Sequence, residues 1–263
     1  MSDFRARSNA ELLDAAFEIY RRYFPAFFAI SVVWALPSIV SVYFQQAVVA
    51  SSAGVAKDPF AALTPAQTVM LTSLFVRVLI TPFAEGAMTA LASDAYLGAP
   101  TDLAAATRAA LAHPWRLSIA WWTRAIFEFL GAMVFLVPGL VIFKRYFAIE
   151  PTVILEHRGV SDSIKRSRIL ADGSGVRIFV LIGGVWLFTV VVSIMLGGFI
   201  TAVSQSAITG MLGVIVLAAL YPFSIIITTL LYYDIRIRKE GYDIELLAAG
   251  LDTSPHPQPL PAS

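Results

Sequence analysis

Three ionisable residues in the middle of the chain have a spacing that could support chemistry inside a membrane. Arg124 and Glu128 are four residues apart, so they share one face of a helix. If the chain turns back at Pro138-Gly139, Glu150 returns to nearly the depth of both. The group predicts either a polar pathway or anionic-headgroup site, or a set of charges that locks two helices together.

A second pair of charges lies earlier in the chain, around a proline. Arg77 and Glu85 are eight residues apart, about 12 Å along a helix, which is too far for direct pairing. Pro82 lies between them and predicts a kink. A broken helix beside a carboxylate is a transporter device, and a kinked helix whose charges find other partners is the structural alternative. The candidate intramembrane polar cluster therefore comprises Arg77, Glu85, Arg124, Glu128 and Glu150.

No combination of residues points to a reaction. The chain has no cysteine, which excludes thiolate chemistry and disulfides. His113, His157 and His256 do not have the spacing of metal ligands, and no nucleophile elbow is present. The segment "ADGSG" lacks the Lys-Ser/Thr ending of a phosphate-binding loop and predicts a helix-terminating turn. We therefore expect no enzyme activity, no cofactor, no metal and no nucleic-acid partner.

The composition is that of a protein dissolved in lipid. Of the 263 residues, 58% are hydrophobic and 14% are charged, and the mean hydropathy is +0.75. Soluble domains have about 25% charged residues. The apolar runs are continuous instead of alternating, which favours membrane helices over a barrel. The sequence thus predicts an all-α, polytopic membrane bundle.

Six apolar segments approach the length of a membrane span, about 20 residues. They run at about Phe24–Val48, Gln67–Ala92, Leu117–Val137, Leu140–Leu155, Ile178–Val203 and Ile208–Tyr232. The predicted membrane domain covers residues 1–248. The remaining segment, 249–263, is rich in proline and is expected to be a disordered cytoplasmic tail.

The alternative is that the two segments Leu117–Val137 and Leu140–Leu155 are replaced by one span over Ser118–Phe143, which would give five spans in all. Positively charged residues accumulate in cytoplasmic loops, and this rule favours six spans with both termini in the cytoplasm. Outer loops then hold only Lys57, and Lys144 and Arg145 are expected near the outer headgroups. Fourteen of the 19 basic residues fall on the cytoplasmic side, namely Arg5, Arg7, Arg21, Arg22, Arg108, Arg116, Arg158, Lys165, Arg166, Arg168, Arg177, Arg236, Arg238 and Lys239.

Three stretches repeat one organisation, which predicts three hairpins that each follow a cytoplasmic interfacial helix. They begin at Ser8, Thr101 and Ser161, residues that can cap a helix. Ser8 and Glu11 have the spacing of a capping box. The similarity is explained either by internal duplication or by simple recurrence of an amphipathic, basic and apolar order.

Basic residues near the predicted membrane surface are candidate contacts for anionic lipid headgroups. The set comprises Arg21, Arg22, Lys165, Arg166, Arg168, Arg236, Arg238 and Lys239. The pairs Gly183-Gly184 and Gly197-Gly198 are expected to mark close helix packing. Near the end of the last span, Asp234 and Arg238 are placed to pair, and Gly241 to cap the helix in a left-handed conformation.

Four motifs together resemble a known bacterial family. They are "ELLDAAFEIYRRYF", "ITPFAEGAMTALASDAYLGAP", "VILEHRGVSDSIKRSRILADG" and "LYYDIRIRKEGYDIELL". In this order they are similar to the membrane domain of glycerophosphoryl diester phosphodiesterase, over about Phe4–Leu247. The resemblance implies a multi-pass protein of the bacterial inner membrane. In fused members, hydrolysis belongs to a separate soluble barrel with a metal site, so no catalytic residue is carried over.

Two functional hypotheses follow from the sequence. The first is a non-enzymatic membrane protein that organises lipids or partner proteins at the cytoplasmic face through its interfacial helices and basic loops. The second is a transporter for a small or amphipathic anionic solute, which a continuous polar cavity at mid-membrane would favour. A membrane-embedded lipid enzyme is a third and weaker alternative.

Overall fold

The computed structural model describes residues 5–51, 65–134, 136–203 and 206–245. Lys57, His256 and the proline-rich tail lie outside these ranges. The described chain is helical without strands, as the sequence predicted. The helices are α1 (Asn9–Arg22), α2 (Phe24–Ser51), α3 (Pro65–Leu97), α4 (Leu103–Ala112), α5 (Pro114–Val134), α6 (Leu136–Tyr146), α7 (Ile149–Leu155), α8 (Val160–Ala171), α9 (Gly175–Ile178), α10 (Gly184–Val203) and α11 (Ala207–Glu240). A π-helical turn, Phe179–Gly183, joins α9 to α10.

Four stretches of the described chain are long and apolar enough to cross a membrane. They are Phe24–Gln45, Pro65–Leu97, Gly175–Ile200 and Ala207–Glu240. These four stretches give the chain the character of a multi-pass membrane protein. The expected spans at Leu117–Val137 and Leu140–Leu155 are not among them.

The long helices α2, α3 and α11 pack around a shared polar and aromatic contact. Trp34 of α2 donates its indole N–H to Thr81 of α3 at 2.9 Å. The same indole ring stacks on Tyr221 of α11 with 4.1 Å between ring centroids. Close approach of α10 and α11 occurs at Gly213, where a Cβ would lie only 2.5 Å from Ile200 Cδ1. The α3 helix continues through Pro82.

Most buried side chains lie toward the end of the bundle where α11 finishes. We call it the basic end, because Arg177, Arg236 and Lys239 lie there. Its core includes fully buried side chains from α1, α2, α3, α7, α8 and α11, such as Leu12, Phe27, Leu91, Ile149, Leu170 and Tyr232. Toward the other end, large apolar side chains remain exposed on α2 and α10, as expected for helices that face lipid.

Short helices cover the basic end, and their starts only partly follow the prediction. The capping box of α1 is confirmed: Ser8 Oγ accepts from Glu11 N at 3.2 Å, and Glu11 Oε2 accepts from Ser8 N at 2.6 Å. The cap of α4 is Asp102 instead of Thr101, because its carboxylate reaches two free backbone N–H groups. The α8 helix begins after Gly159, so Ser161 is not its cap.

The expected Pro138-Gly139 turn is absent. Both residues lie within α6, which begins at Leu136, and the described part of α5 ends at Val134. Proline is tolerated in the first turn of a helix, because the N–H groups there have no intrahelical acceptor. Gly139 packs instead against α5, where a Cβ on Gly131 would come within 3.0 Å of its Cα.

The predicted single helix over Leu140–Leu155 is also wrong, because it breaks between Tyr146 and Ile149. Ser167 of α8 explains the break. Its hydroxyl accepts from the backbone N–H of Ala148 at 3.1 Å and donates to the carbonyl of Arg145 at 2.9 Å. In a continuous helix, both backbone groups would form hydrogen bonds within the helix. Here they bond to the Ser167 hydroxyl of α8 instead.

Lys144 and Arg145 do not lie at the opposite end of the bundle from Arg168, where the sequence predicted them. They line a cavity together with Arg168, Ile169 and Asp172. Lys239, at the end of α11, donates to the carbonyl groups of Ile169 and Asp172. The C-terminal end of α6 therefore lies at the basic end. With 11 residues, α6 is about 16 Å long, roughly half of a 30 Å bilayer core.

Glycine pairs on α10 do not mark close packing, contrary to expectation. Among the described residues, no atom outside the local helix lies within 4 Å of a Cβ built at Gly184 or Gly197. The close approaches occur at other glycines. A Cβ at Gly86 would lie 2.6 Å from Leu117 Cδ2, and one at Gly210 would lie 2.7 Å from Val42.

Candidate functional site

Arg124 is the centre of an ionic cluster between the long helices and the α5–α7 segment. Its guanidinium lies 2.9 Å from Glu85 of α3, 3.1 Å from Glu150 of α7 and 4.0 Å from Glu128 of its own helix. The expected contact between Arg124 and Glu150 is therefore present. Tyr221 of α11 donates its hydroxyl to the second oxygen of Glu85 at 2.5 Å. The cluster thus joins α3, α5, α7 and α11.

The cluster has more negative than positive groups. One guanidinium serves three carboxylates, so full ionisation would leave two negative charges in excess. The side chains of Glu85 and Glu150 are only 9% and 4% exposed, whereas that of Glu128 is 33% exposed. Glu85 has two donors, but Glu150 Oε1 faces Arg124 without hydrogen-bond geometry. Glu150 is therefore the less compensated of the two buried carboxylates.

Arg77 does not contact this cluster directly. Its guanidinium lies 4.0 Å from the ring centroid of Trp34 and donates to Ser38 at 3.2 Å. Because Trp34 stacks on Tyr221, which bonds Glu85, the two parts are connected through aromatic rings. Such a guanidinium on an indole face is stabilised by the ring's quadrupole.

Four of the five predicted residues are thus brought together, and two partners were not predicted. Trp34 and Tyr221 complete the site, and each is an amphipathic ring within a long apolar helix. An aromatic polar group inside an apolar span is a sequence signal that could have found them. The spacing alone could not say which carboxylate they serve.

The arrangement of the cluster is suited to holding the four helices together. Among the described residues, no group of three His, Cys, Asp or Glu side chains is placed to hold a metal. His113 ends α4, and His157 lies in the turn between α7 and α8 with φ of 54°.

A second ionic cluster at the basic end is built around Asp234, which is 1% exposed. Its carboxylate accepts from the backbone N–H of Arg7 at 2.8 Å. It also pairs with Arg177 at 2.9 Å and with Arg238 at 2.8 Å. The predicted Asp234–Arg238 pair is therefore confirmed, and it anchors the segment that precedes α1. The left-handed cap at Gly241 is also confirmed, with φ of 66°.

Glu156, in the turn before α8, is the centre of a third cluster. It accepts from Tyr232 at 2.6 Å and from Arg166 at 3.0 Å. Burial alone would raise the pKa of Glu156, but the hydrogen bonds from Tyr232, Arg158 and Arg166 outweigh it and lower that pKa. The pKa of Arg166 is raised, chiefly by its hydrogen bond to Glu240.

These ion pairs divide the candidate lipid contacts into side chains that already have a partner in the protein and side chains that are exposed. Arg166, Arg236 and Arg238 are in ion pairs, and Lys239 binds backbone carbonyl groups. Arg21, Arg22, Lys165 and Arg168 are exposed. The closest carboxylate to Lys165, Asp162, lies at 3.8 Å, and both side chains are exposed, so that pair is weak.

The chain was compared with family models, with curated proteins and with solved structures, and none of the three comparisons gave a match.

Proposed function

We propose that the chain is a non-enzymatic, multi-pass protein of a bacterial inner membrane that binds anionic lipid headgroups at the cytoplasmic face. The observation that carries the proposal is the concentration of short amphipathic helices and basic side chains at one end of a bundle of four long apolar helices. By the positive-inside rule, that end faces the cytoplasm. Four crossings place both described ends of the chain on this side.

The α5–α6 hairpin has a particular place in this proposal. Its second helix, α6, ends at the basic end and is only about 16 Å long, since it has 11 residues. We infer that it enters the membrane from the cytoplasmic side and returns, instead of adding two full spans to make six. The side chains of Phe129 and Met133 are 65% and 70% exposed, while Arg124 faces the bundle. An apolar outer face and a charged inner face are typical of a partly inserted helix.

The interfacial helix α1 supports the same role. Leu12 and Ala16 are fully buried against the bundle, whereas Phe17 is 57% exposed. Arg21 and Arg22 end this helix and are both exposed. An exposed aromatic ring beside two cations fits the boundary between acyl chains and anionic headgroups.

The resemblance to the membrane domain of glycerophosphoryl diester phosphodiesterase is part of the proposal. Its most specific piece, the closing "LYYDIRIRKEGYDIELL", supplies Asp234, Arg236, Gly241 and Tyr242. Arg236 lies 3.7 Å from the ring centroid of Tyr242, and Asp234 anchors the segment before α1. The residues of this motif therefore hold the end of α11 against the segment before α1.

We do not extend the proposal to transport of an anionic solute. The intramembrane cluster has carboxylates in excess, which repel an anion. Arg77 of α3 is covered by Trp34 and Ser38. Both features disfavour the alternative.

The proposal is tested by reconstituting the full chain in nanodiscs that contain phosphatidylglycerol and phosphatidylcholine. We expect phosphatidylglycerol to be enriched around the protein, and the enrichment to fall as salt rises. Replacing Arg21, Arg22 and Lys165 with glutamine should reduce the enrichment, while a variant with Arg21→Lys and Arg22→Lys should retain it. Equal proportions of the two lipids at low salt would contradict the proposal.

A further inference from the structure

A basic cavity of about 380 Å³ lies between the end of α6 and the end of α8. It is separate from the three ionic clusters around Arg124, Asp234 and Glu156. Lys144 and Arg145 come from the last turn of α6. Arg168 and Ile169 come from the last turn of α8, and Asp172 ends that helix. The cavity thus has three cationic side chains and one carboxylate.

The three cations lack the carboxylate partners that other basic side chains have at the basic end. Among the described residues, no carboxylate lies within the 4 Å ion-pair distance of Lys144, Arg145 or Arg168. By contrast, the neighbouring Arg166 has two carboxylate partners. The cavity therefore carries a net positive charge of about two, which favours an anionic ligand.

Two of the cations are held in place by contacts that leave their charge available. Arg168 donates to the hydroxyl of Tyr146 at 2.7 Å and lies over the ring of the same residue. The stem of Lys144 crosses Gly175, where a Cβ would lie 2.7 Å from Lys144 Cδ. Lys239 binds the carbonyl groups at the end of α8, so these dipoles do not have to be satisfied by the three cations.

The surroundings of the cavity indicate a lipid instead of a free anion. Ile169 lines it and is 62% exposed, and Val176, one residue beyond Gly175, is 81% exposed. Further along the same helix, Phe179 and Val180 are 47% and 51% exposed and lead into the apolar length of α10. An acyl chain would cover these side chains while its headgroup entered the cavity.

We infer that this cavity is a binding site for the phosphodiester headgroup of an anionic glycerophospholipid, with its acyl chains along α9 and α10. Lys144, Arg145 and Arg168 contact the phosphate as charge-assisted donors. The inference rests on the proposed function, and it adds one specific site to a general preference for anionic lipid. It also gives a role to Lys144 and Arg145, which the sequence had assigned to the opposite membrane surface.

The test is native mass spectrometry of the full chain released from detergent after incubation with phosphatidylglycerol. Each basic residue near an anionic surface contributes roughly fivefold in affinity, so replacing Lys144, Arg145 and Arg168 with glutamine should weaken lipid retention about a hundredfold. The matched control replaces Arg5, Arg108 and Arg116 with glutamine, three exposed arginines that neither line the cavity nor belong to the proposed lipid contacts. It removes the same charge elsewhere and should retain the lipid.

A single substitution of Arg145 keeps the test valid if the triple variant does not fold. Its side chain is exposed, and among the described contacts only its backbone carbonyl is used, so Arg145→Gln leaves the fold intact. This variant should lose about fivefold in retention. Incubation with glycerol 3-phosphate or inorganic phosphate forms the second arm, and binding of these without retention of lipid would overturn the lipid assignment.

The outcomes separate this inference from the proposed function. If the wild type enriches phosphatidylglycerol in nanodiscs but the cavity variants retain it in detergent as well as the wild type does, the site is wrong and the general function stands. If the wild type shows no anionic preference in either assay, both fail. Loss of retention in the cavity variants, with the control unchanged, supports the site.

Discussion

Removing Arg124 should destabilise the protein more than removing any of the carboxylates around it. The guanidinium lies 2.9 Å from Glu85 and 3.1 Å from Glu150, and both acids are almost fully buried. Breaking a buried ion pair from one side typically costs about 3–5 kcal/mol, because the remaining charge is left uncompensated. Arg124→Met leaves two such carboxylates facing each other, so we expect a loss in the free energy of unfolding of about 3–5 kcal/mol.

Substitutions of the three glutamates should change the free energy of unfolding by different amounts. Glu128 is 33% exposed and 4.0 Å from Arg124, so Glu128→Gln should change stability by less than about 1 kcal/mol. Glu150→Gln removes one of the excess negative charges and should be neutral or stabilising. Glu85→Gln should cost more, because Glu85 also accepts from Tyr221.

The measurement is unfolding of the purified full chain in micelles or nanodiscs by steric trapping or titration with sodium dodecyl sulfate. A compensated variant, with Arg124→Met, Glu85→Gln and Glu150→Gln together, provides the internal control. It should recover most of the stability lost in Arg124→Met, since no unpaired charge remains. The reasoning is refuted if Arg124→Met costs less than about 1 kcal/mol, or if the compensated variant is as unstable as Arg124→Met.

Other contacts give predictions that the same unfolding assay can check. Ser167→Ala should cost about 1–3 kcal/mol, because it leaves two backbone groups between α6 and α7 without their partner, whereas Ser161→Ala should be near neutral. Gly86→Ala should cost about 1–3 kcal/mol, since its Cβ would lie 2.6 Å from a leucine of α5, and Gly197→Ala should cost nothing. Because the pKa of Glu156 is lowered, its stabilisation is fully present above 4.5, the ordinary pKa of a glutamate, and is lost as the pH falls through its folded pKa. Glu156→Gln should therefore flatten the acid limb of the pH–stability curve, and an unchanged limb would contradict the assignment.

The contact between Arg124 and Glu150 is present, although the Pro138-Gly139 turn from which it was expected is not. Hydrophobic run length was sufficient to predict the four long helices, and helical spacing was sufficient to place Glu128 on the same face as Arg124. Both depend on local pattern, which the sequence carries directly. The capping box at Ser8 and the left-handed cap at Gly241 were predictable for the same reason. Each uses residues within one turn of the helix end.

The errors have a common physical cause, which is a contact from a distant part of the chain. The break after Tyr146 depends on Ser167, a residue of another helix. Once that break exists, Lys144 and Arg145 lie beside α8 instead of across the membrane. Apolar length could not reveal this, because the segment is equally apolar whether it spans the bilayer or returns within it.

Glycines and aromatic partners were missed for a related reason. Whether a glycine marks a close approach depends on what the facing helix presents, as Gly86 and Gly197 illustrate. Trp34 and Tyr221 are separated by most of the chain, and their stacking follows from the packing of α2 on α11. Neither fact is present in the local sequence.

The side of the membrane on which Arg145 lies tests the account most directly. The chain has no cysteine, so Arg145→Cys can be labelled alone with a membrane-impermeant maleimide, with Lys165→Cys as the cytoplasmic control and Ser206→Cys as the external one. We predict that Arg145→Cys is protected in intact spheroplasts and labelled in inverted vesicles, as Lys165→Cys is. Labelling in intact spheroplasts, as for Ser206→Cys, would contradict the four-crossing topology, the partly inserted hairpin and the lipid site together.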